Sequence, residues 1–378
     1  MNAVRAALLL AAAVLALGAM KAGPETELEA AVGAAFRAAK RTAPKSDKAL
    51  AAAASALARV VLAEGAKAAT DSEAVANELS RAGAWDPPPR VLAVRASPPE
   101  HALRAMSARA DLAALDASHL GAGFASDGAS GVAVLLFTER RAFLEPFPRA
   151  VSVGFRATLK GDVVFPLYDA RVLVTGPKGA VRPEPVQTEV RHRFEALLSF
   201  PAAGVYTIEV EAQSAKGPQV AALFRVQAGE PGEARAPASE TAEVADLAKA
   251  EAQVLSALNA RRKAAGLKPL SRSSLLDSMA GEHSSEMARL GYFAHVSPVA
   301  GDVTQRARQA GFRFRRIAEN LGEAASALEA HRTIEASPGH LANVLDPDVD
   351  LVGLGTARAR RGSIDNVLLT EIFARAEP

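Results

Sequence analysis

The chain has 378 residues, of which 49% are apolar, so it can bury the cores of two or three domains, and extensive disorder is excluded. Its 44 basic and 42 acidic residues leave a net charge of +2, which argues against a dedicated nucleic-acid binder. It contains no cysteine, which excludes disulfide scaffolds, cysteine-ligated zinc, iron–sulfur clusters and cysteine nucleophiles.

The first 22 residues have the pattern of a secretory signal peptide. Arg5 precedes an almost purely apolar run from Ala6 to Ala19 that ends in small residues. The run is shorter than the roughly 20 apolar residues that a membrane span needs. We therefore expect a signal peptide at residues 1–22, a secreted or periplasmic protein, and no stable membrane span after cleavage. The alternative is an uncleaved N-terminal anchor.

Residues 24–147 have the pattern of an α+β domain. Capping residues and glycine stops predict helices from Ser46 to Glu64, from Ser72 to Ala82, and from about Pro99 to Leu115. A glycine-rich stretch from Gly121 to Gly131 predicts a turn between two strands, the second of which runs from Val132 to Phe137.

Residues 148–229 alternate apolar and polar side chains with a period of two. The alternating runs begin near Val151, Phe194, Tyr206 and Val220, and turn signals rich in glycine and proline separate them. Short strands at this spacing predict a β-sandwich of the immunoglobulin-like kind, in which we identify no site. Residues 230–240 are rich in proline, glycine, alanine and charge, and we interpret them as a linker.

Residues 241–378 predict a domain with helices packed on an antiparallel sheet. Capping and stop signals indicate five helices, which begin near Ala242, Ser273, Asp302, Ser326 and Ser337. Two strands close the chain, from Leu351 to Ala357 and from Asn366 to Ala374.

Four of the seven histidines fall in this last domain, and two of them lie in non-helical segments where sites are common. His295 follows a helix, and His340 lies at a helix start. Glu319 and Asn320 form an acid–amide pair between them. His283 has the spacing of a packed helix histidine that bonds to a neighbour such as Glu286, and His331 is expected to face solvent.

Eight short motifs in this domain occur in a characteristic order. They are L-N-x-x-R from Leu258, G-L-x-P-L from Gly266, A-x-x-H-S-x-E-M-A from Ala280, Y-F-A-H-x-S-P from Tyr292, E-N-L from Glu319, S-P-G-H-x-x-N-x-L from Ser337, V-G-L-G from Val352, and L-T-E-I-F from Leu369. Together they resemble the bacterial CAP superfamily, also called SCP-like, which includes cysteine-rich secretory proteins, antigen 5 and pathogenesis-related proteins. The resemblance covers about Glu251 to Phe373.

This resemblance implies an α–β–α sandwich whose central cavity carries two histidines and two acidic residues. By motif, His295 and His340 match the histidines, and Glu319 matches one acid. Ser337 stands at the position of the second acid, while Glu335 is near it but out of register. The resemblance therefore supplies three of the four cavity residues.

Two imidazoles and a carboxylate allow more than one kind of chemistry. His295 and His340 could ligate a divalent metal such as zinc, with Glu319 as a third ligand or a base. The same three side chains could form a hydrogen-bonded network without a metal, or Glu319 could orient one imidazole while the other acts as a base. No nucleophile motif accompanies them, and Ser297 and Ser337 are expected to cap the turns that follow them.

The end of the first domain resembles the end of the last. Leu120 to Gly123, a glycine-rich turn and Val132 to Phe137 compare with Val352 to Gly355, a turn and Val367 to Phe373. Residues 24–147 are therefore either a degenerate CAP-like copy without the polar motifs or an unrelated α+β domain.

The sequence thus predicts a multidomain α+β protein: an N-terminal α+β domain, an immunoglobulin-like β-sandwich, and a C-terminal CAP domain with an α–β–α sandwich fold. The leading function is binding of an extracellular or envelope ligand (lipid, glycan or protein) through the CAP cavity, without catalysis. The first alternative is a metal-dependent hydrolase that uses His295, Glu319 and His340. The second is an adhesion or assembly protein in which the CAP domain is a scaffold.

Overall fold

A computed structural model describes residues 23–188, 190–230, 246–361 and 364–377. The predicted signal peptide, and the predicted linker beyond residue 230, lie outside the described residues. The described part contains four β-sheets: one in the N-terminal region, two in the middle and one in the C-terminal region.

The N-terminal region is a four-stranded sheet with helices on both faces. Its helices are α1 (Pro24–Ala38), α2 (Lys48–Glu64), α3 (Ser72–Arg81) and α4 (Pro99–Ser107), and its strands are β1 (Lys45–Ser46), β2 (Arg90–Ala96), β3 (His119–Ser126) and β4 (Gly131–Thr138). The strand order is β1-β3-β4-β2, with β1 parallel to β3 and the other pairs antiparallel. Because α2 covers one face and α1 and α4 cover the other, β4 is buried along its whole length.

Two predictions for this region are wrong. Gly121 and Gly123 belong to β3 and not to a turn, because the backbone of α2 packs against them: a Cβ on Gly121 would lie 2.3 Å from the carbonyl carbon of Leu50. The third helix ends at Ser107 and not at Leu115, and a single 3₁₀ turn over Leu112–Ala114 follows. The sequence patterns also missed α1 and β2.

The middle region is a β-sandwich, as the period-two pattern predicts. Its strands are β5 (Ala142–Leu144), β6 (Ala150–Val151), β7 (Arg156–Val163), β8 (Tyr168–Thr175), β9 (Val181–Glu184), β10 (Val186–Gln187), β11 (Arg193–Ser199), β12 (Gly204–Gln213) and β13 (Gln219–Ala228). One sheet has the order β10-β11-β7-β5 and the other β6-β13-β12-β8-β9. The apolar residues of β12 point into the shared core, so its Glu209 and Glu211 lie on the opposite face.

The C-terminal region has three layers, helix, sheet and helix. Its elements are α5 (Leu247–Ala264), β14 (Ser271–Arg272), α6 (Ser274–Leu290), α7 (Val303–Gln309), β15 (Phe314–Ala324), α8 (Ala327–Ala336), α9 (Pro338–Val344), β16 (Leu351–Arg361) and β17 (Ile364–Ala376). Helices α6 and α7 pack on one face of the sheet, and α5, α8 and α9 pack on the other. The sheet order is β14-β16-β17-β15, which leaves β15 at an edge.

The predicted helix starts near Ser273, Asp302, Ser326 and Ser337 agree with the structure. The predicted start near Ala242 lies outside the described residues, in which the first helix of this region begins at Leu247. The side chains of Asp302, Ser326 and Ser337 each accept a hydrogen bond from the backbone of the helix that they precede. The sequence patterns did not identify β15 as a strand, although this strand carries Glu319 and Asn320.

The N-terminal and C-terminal sheets share one strand order and one set of pairing directions. In each, a two-residue strand (β1 or β14) lies parallel to a longer strand and leads into a 17-residue helix. That helix approaches the sheet closely at two glycines in both regions. A Cβ on Gly123 would lie 2.2 Å from the carbonyl carbon of Ala54, and a Cβ on Gly355 would lie 2.1 Å from the amide nitrogen of Gly281.

This contact leads to a prediction about Gly355. We expect Gly355→Ala to lower the free energy of unfolding by about 1–3 kcal/mol, because the added methyl group would meet backbone atoms that cannot rotate away. Gly281→Ala is the matched control, since a Cβ there meets nothing within 4 Å and alanine favours the helix. Urea unfolding followed by circular dichroism measures both variants. Equal stability of the two variants would contradict the prediction.

Candidate functional site

Glu319 lies on the edge strand β15 and points to the face of the sheet that α6 and α7 cover. Its side chain is almost fully buried, and its Oε1 accepts a hydrogen bond from Nδ1 of His295 at 3.1 Å. The guanidinium of Arg306 donates to Oε2. His283 from α6 lies beside the same carboxylate, with its Nε2 at 3.9 Å from Oε1. Burial opposes ionisation of Glu319, but the bond from His295 and the charge of Arg306 outweigh it and lower the pKa of Glu319.

Arg306 fixes the loop that carries His295. Besides Glu319, this side chain donates to the carbonyl oxygens of Gly301 (2.9 Å) and His295 (3.1 Å), and only 7% of it is exposed. When the His295 ring is neutral, donation from Nδ1 to Glu319 places the free lone pair on Nε2. A carboxylate behind a histidine in this way is the usual support of a metal-ligating imidazole, and it equally supports a general base.

His340 is the third residue of α9, and it lines a small cleft together with His295. No hydrogen bond to the His340 ring occurs within the described residues. Burial, together with the proximity of His295, lowers the pKa of His340 to about 3. The ring is therefore neutral at pH 7, which is the form that binds metal ions.

The cleft lies between the C-terminal region and the β-sandwich. Its volume is about 50 Å³, which is room for a few water molecules. Its polar lining comes from both regions: Glu209, Glu211, Gln219, His295, Glu319, His340 and Asn343. Burial, together with the neighbouring Glu211, raises the pKa of Glu209 to about 7, although Ser337 and Gly339 donate hydrogen bonds to it.

A second polar cluster lies on the opposite face of the sheet. Nδ1 of His331 is 2.7 Å from Oε1 of Glu371, and both side chains are at most 1% exposed. Asn320 donates to Glu371 (3.2 Å) and to the carbonyl oxygen of His340 (3.1 Å), so this cluster also supports the cleft. The prediction that His331 faces solvent is wrong, because α8 turns it onto β17.

The charge state of His331 follows from these neighbours. Burial acts against a charged ring, but the charges of Glu371 and Glu335 outweigh it and raise the pKa of His331 to about 10. Glu335 lies 3.6 Å from Nε2 of His331. Glu335 therefore lies with His331 on the face of the sheet opposite Glu319, and it does not take the place of the second cavity acid.

Two negative observations apply to the described residues. No group of three or more His, Asp or Glu side chains in that part of the chain stands as a ready-formed metal site. No helix in it has the length and apolar character needed to cross a membrane.

Comparison with known proteins identifies the C-terminal region. Residues 255–373 match the family model described as the cysteine-rich secretory protein family, CAP. The C-terminal domain belongs to the CAP superfamily. The uncharacterized protein YkwD of Bacillus subtilis (strain 168) is 31% identical over 108 residues, which cover 28% of this chain and 41% of that protein. The matched part therefore spans less than half the length of this curated relative.

Two solved structures from bacteria are similar to this chain at low identity. An extracellular protein containing an SCP domain from Bacillus anthracis is 15% identical, with a TM-score of 0.30, and the similarity covers 58% of this chain and 82% of that one. A cysteine-rich secretory protein from Staphylococcus aureus is 13% identical, with a TM-score of 0.29, and the similarity covers 63% of this chain and 81% of that one.

The CAP domain brings the three predicted site residues together. His295 bonds to Glu319, and both line the cleft that His340 lines. The hydroxyls of Ser297 and Ser337 accept backbone hydrogen bonds at the turns that follow them, as expected. Each hydroxyl also donates to a carboxylate, Ser297 to Glu286 and Ser337 to Glu209.

Sequence reasoning missed four residues of this site. The helical spacing predicts a buried, bonded histidine at position 283, and the ring is buried, but its Nε2 donates to the carbonyl oxygen of Ala294 at 3.0 Å and not to Glu286. The spacing gave no indication that His283 lies beside Glu319. Arg306 lies on the short helix α7 and gave no signal. Glu209 and Glu211 are polar residues of an alternating strand, and such residues normally face solvent.

Proposed function

We propose that this chain is an exported binding protein whose CAP cleft takes a small cation at His295 and His340. The observation that carries the proposal is the cleft itself: about 50 Å³ of space, lined by two imidazoles and three carboxylates. A cleft of this charge and size favours a cation. A lipid, glycan or protein ligand would need more room than the cleft offers in this arrangement of the domains.

The donor set suits a divalent transition metal, and zinc is the first ion to test. In a neutral His295 ring, Nε2 carries the lone pair because Nδ1 donates to Glu319, and no hydrogen bond within the described residues engages the His340 ring. Two imidazoles with an oxygen ligand are a common zinc environment. Glu319 itself would act behind His295, because both of its oxygens are already engaged, by His295 and by Arg306.

Binding is favoured over hydrolysis by the state of the two serines nearest the histidines. The pair of His295 and Glu319 could serve as a general base. However, the hydroxyls of Ser297 and Ser337 donate to Glu286 and Glu209 at 2.7 and 2.5 Å, so neither is presented to a base. The hydrolase therefore stays the second candidate, and it would require a metal-activated water.

Export and domain origin are further parts of the proposal. The apolar run after Arg5 supports export. The shared strand order and the paired glycine contacts support the reading of residues 24–147 as a degenerate CAP-like copy. When the two regions are aligned by helix start and strand register, Leu57 stands at the position of His283 and Val91 at the position of Glu319. Because the polar site residues are replaced by apolar ones, the copy would contribute stability and contacts and no site. The sandwich is proposed to be immunoglobulin-like on its strand pattern alone.

Zinc titration of the purified, metal-depleted chain against a competing chelating dye tests the binding. We expect one ion per chain, and at least about tenfold weaker binding for His295→Ala and for His340→Ala, as loss of a ligand requires. His101→Ala, an exposed histidine on α4, is the control and should bind as the wild type does. Equal binding by the wild type and the His295→Ala/His340→Ala double variant would overturn the proposal.

A further inference from the structure

The outer face of strand β12 is not a solvent face, because the CAP helix α9 covers it. Glu209 on this face is 1% exposed and accepts hydrogen bonds from the hydroxyl of Ser337 (2.5 Å) and the amide of Gly339 (2.9 Å). Both donors belong to the S-P-G-H segment that carries His340. A middle-domain carboxylate therefore holds the segment that positions one of the two cleft histidines.

The turn after β12 contacts the other histidine. Val296 follows His295 in the chain, and its amide donates a hydrogen bond to the carbonyl oxygen of Lys216 at 3.3 Å. A Cβ on Gly217 would lie 2.9 Å from Cβ of His295, so the glycine allows this close approach. The β-sandwich thus touches the supports of both His295 and His340, and it forms one wall of the cleft.

Glu211 presents a carboxylate from this wall. Its side chain is 16% exposed, and Oε1 accepts a hydrogen bond from Arg171 at 3.3 Å. Oε2 has no hydrogen-bond donor within the described residues, and it lies over Gly339, where a Cβ would come within 3.0 Å of it. Glu211 lines the cleft together with His295 and His340. One oxygen is therefore held by an arginine while the other stays available to a ligand.

We propose that Glu211 is the third ligand of the cation site, so that the β-sandwich completes a site whose other ligands belong to the CAP domain. The inference rests on the proposed function and adds a residue from another domain to it. Two imidazoles and one carboxylate form a three-ligand zinc environment that leaves a position for water. Cation binding would then join the two domains, because ligands on both sides of the interface share one ion.

The test is zinc affinity of the full chain, measured with the same competing dye, for Glu211→Gln and for the matched control Glu195→Gln. Glu195 lies in the same sandwich, on β11, and pairs with Lys160 away from the cleft. We expect Glu211→Gln to weaken zinc binding at least tenfold and Glu195→Gln to leave it unchanged.

A second measurement reports the coupling between the domains. The amide of Gly339 donates a hydrogen bond to Glu209 across the interface. We expect zinc to slow hydrogen exchange of this amide in the wild type and in Glu195→Gln, but not in Glu211→Gln. If Glu211→Gln binds zinc as the wild type does while His295→Ala does not, the role of Glu211 is overturned and the proposed function stands. If the wild type binds no zinc, both are overturned.

Discussion

Replacing Glu371 by glutamine is expected to lower the free energy of unfolding of the CAP domain by about 3–5 kcal/mol at neutral pH, as removal of one member of a buried ion pair does. His331 is charged because Glu371 lies 2.7 Å from it, and both side chains are excluded from water. Without the carboxylate the ring must either stay charged without its main partner or lose its proton. Urea unfolding followed by far-ultraviolet circular dichroism gives the size of the loss.

The loss of stability in Glu371→Gln should become smaller as the pH rises. The pKa of His331 is raised from 6.5 to about 10 in the folded protein. Its contribution to stability is therefore fully present below pH 6.5 and is lost as the pH rises towards 10. The difference between the wild type and Glu371→Gln should be largest at or below neutral pH and should narrow as the pH approaches 10.

The N-terminal sheet suggests a matched control for this pair. Aligned by strand register and helix start, Leu103 stands where the CAP domain has His331, and Leu135 stands where it has Glu371. A well-packed apolar pair often replaces a buried ion pair at little cost. We expect His331→Leu/Glu371→Leu to be more stable than Glu371→Leu alone. The opposite order, or a pH-independent loss in Glu371→Gln, would contradict the ion-pair account.

Single residues in the sequence were enough to predict features that depend only on neighbouring residues, such as helix starts. Asp302, Ser326 and the Ser337-Pro338 pair mark helix starts because a side-chain oxygen accepts from the first turn, and the structure places helices there. His295, Glu319 and His340 could be grouped because the motifs that carry them resemble one family. The family resemblance, and not spacing alone, brought these three residues together.

The sequence could not predict the features that depend on how separate elements and domains pack against one another. The alternation of β12 places Glu209 opposite the sandwich core, but only the docked CAP domain makes that face a buried one. His331 gave a similar error, since a histidine beside an arginine on a helix has the appearance of a surface residue. A glycine-rich stretch at Gly121 and Gly123 predicts a turn, but close approach of a helix to a strand also selects glycine, and that is the reason for these two glycines.

The largest expected effect on the cleft itself comes from replacing Arg306 by methionine. The guanidinium neutralises the buried Glu319 and also holds two carbonyl oxygens of the loop that carries His295. We expect a loss of about 3–5 kcal/mol at pH 7, because Glu319 would stay buried with His295 as its remaining hydrogen-bond partner. Methionine keeps much of the side-chain volume, so the loss reports the charge and its hydrogen bonds.

The pH dependence separates this account from a simple packing defect. In the wild type the pKa of Glu319 lies below 4.5, so its contribution to stability is present above that pH and is lost as the pH falls through the folded-state value. Without Arg306 that pKa rises, and the difference between variant and wild type should shrink from pH 7 to pH 4. Arg308→Met, an exposed arginine on the same helix, should change stability little at either pH. A loss in Arg306→Met that is equal at pH 7 and pH 4 would show that the buried charge of Glu319 is not what Arg306 stabilises.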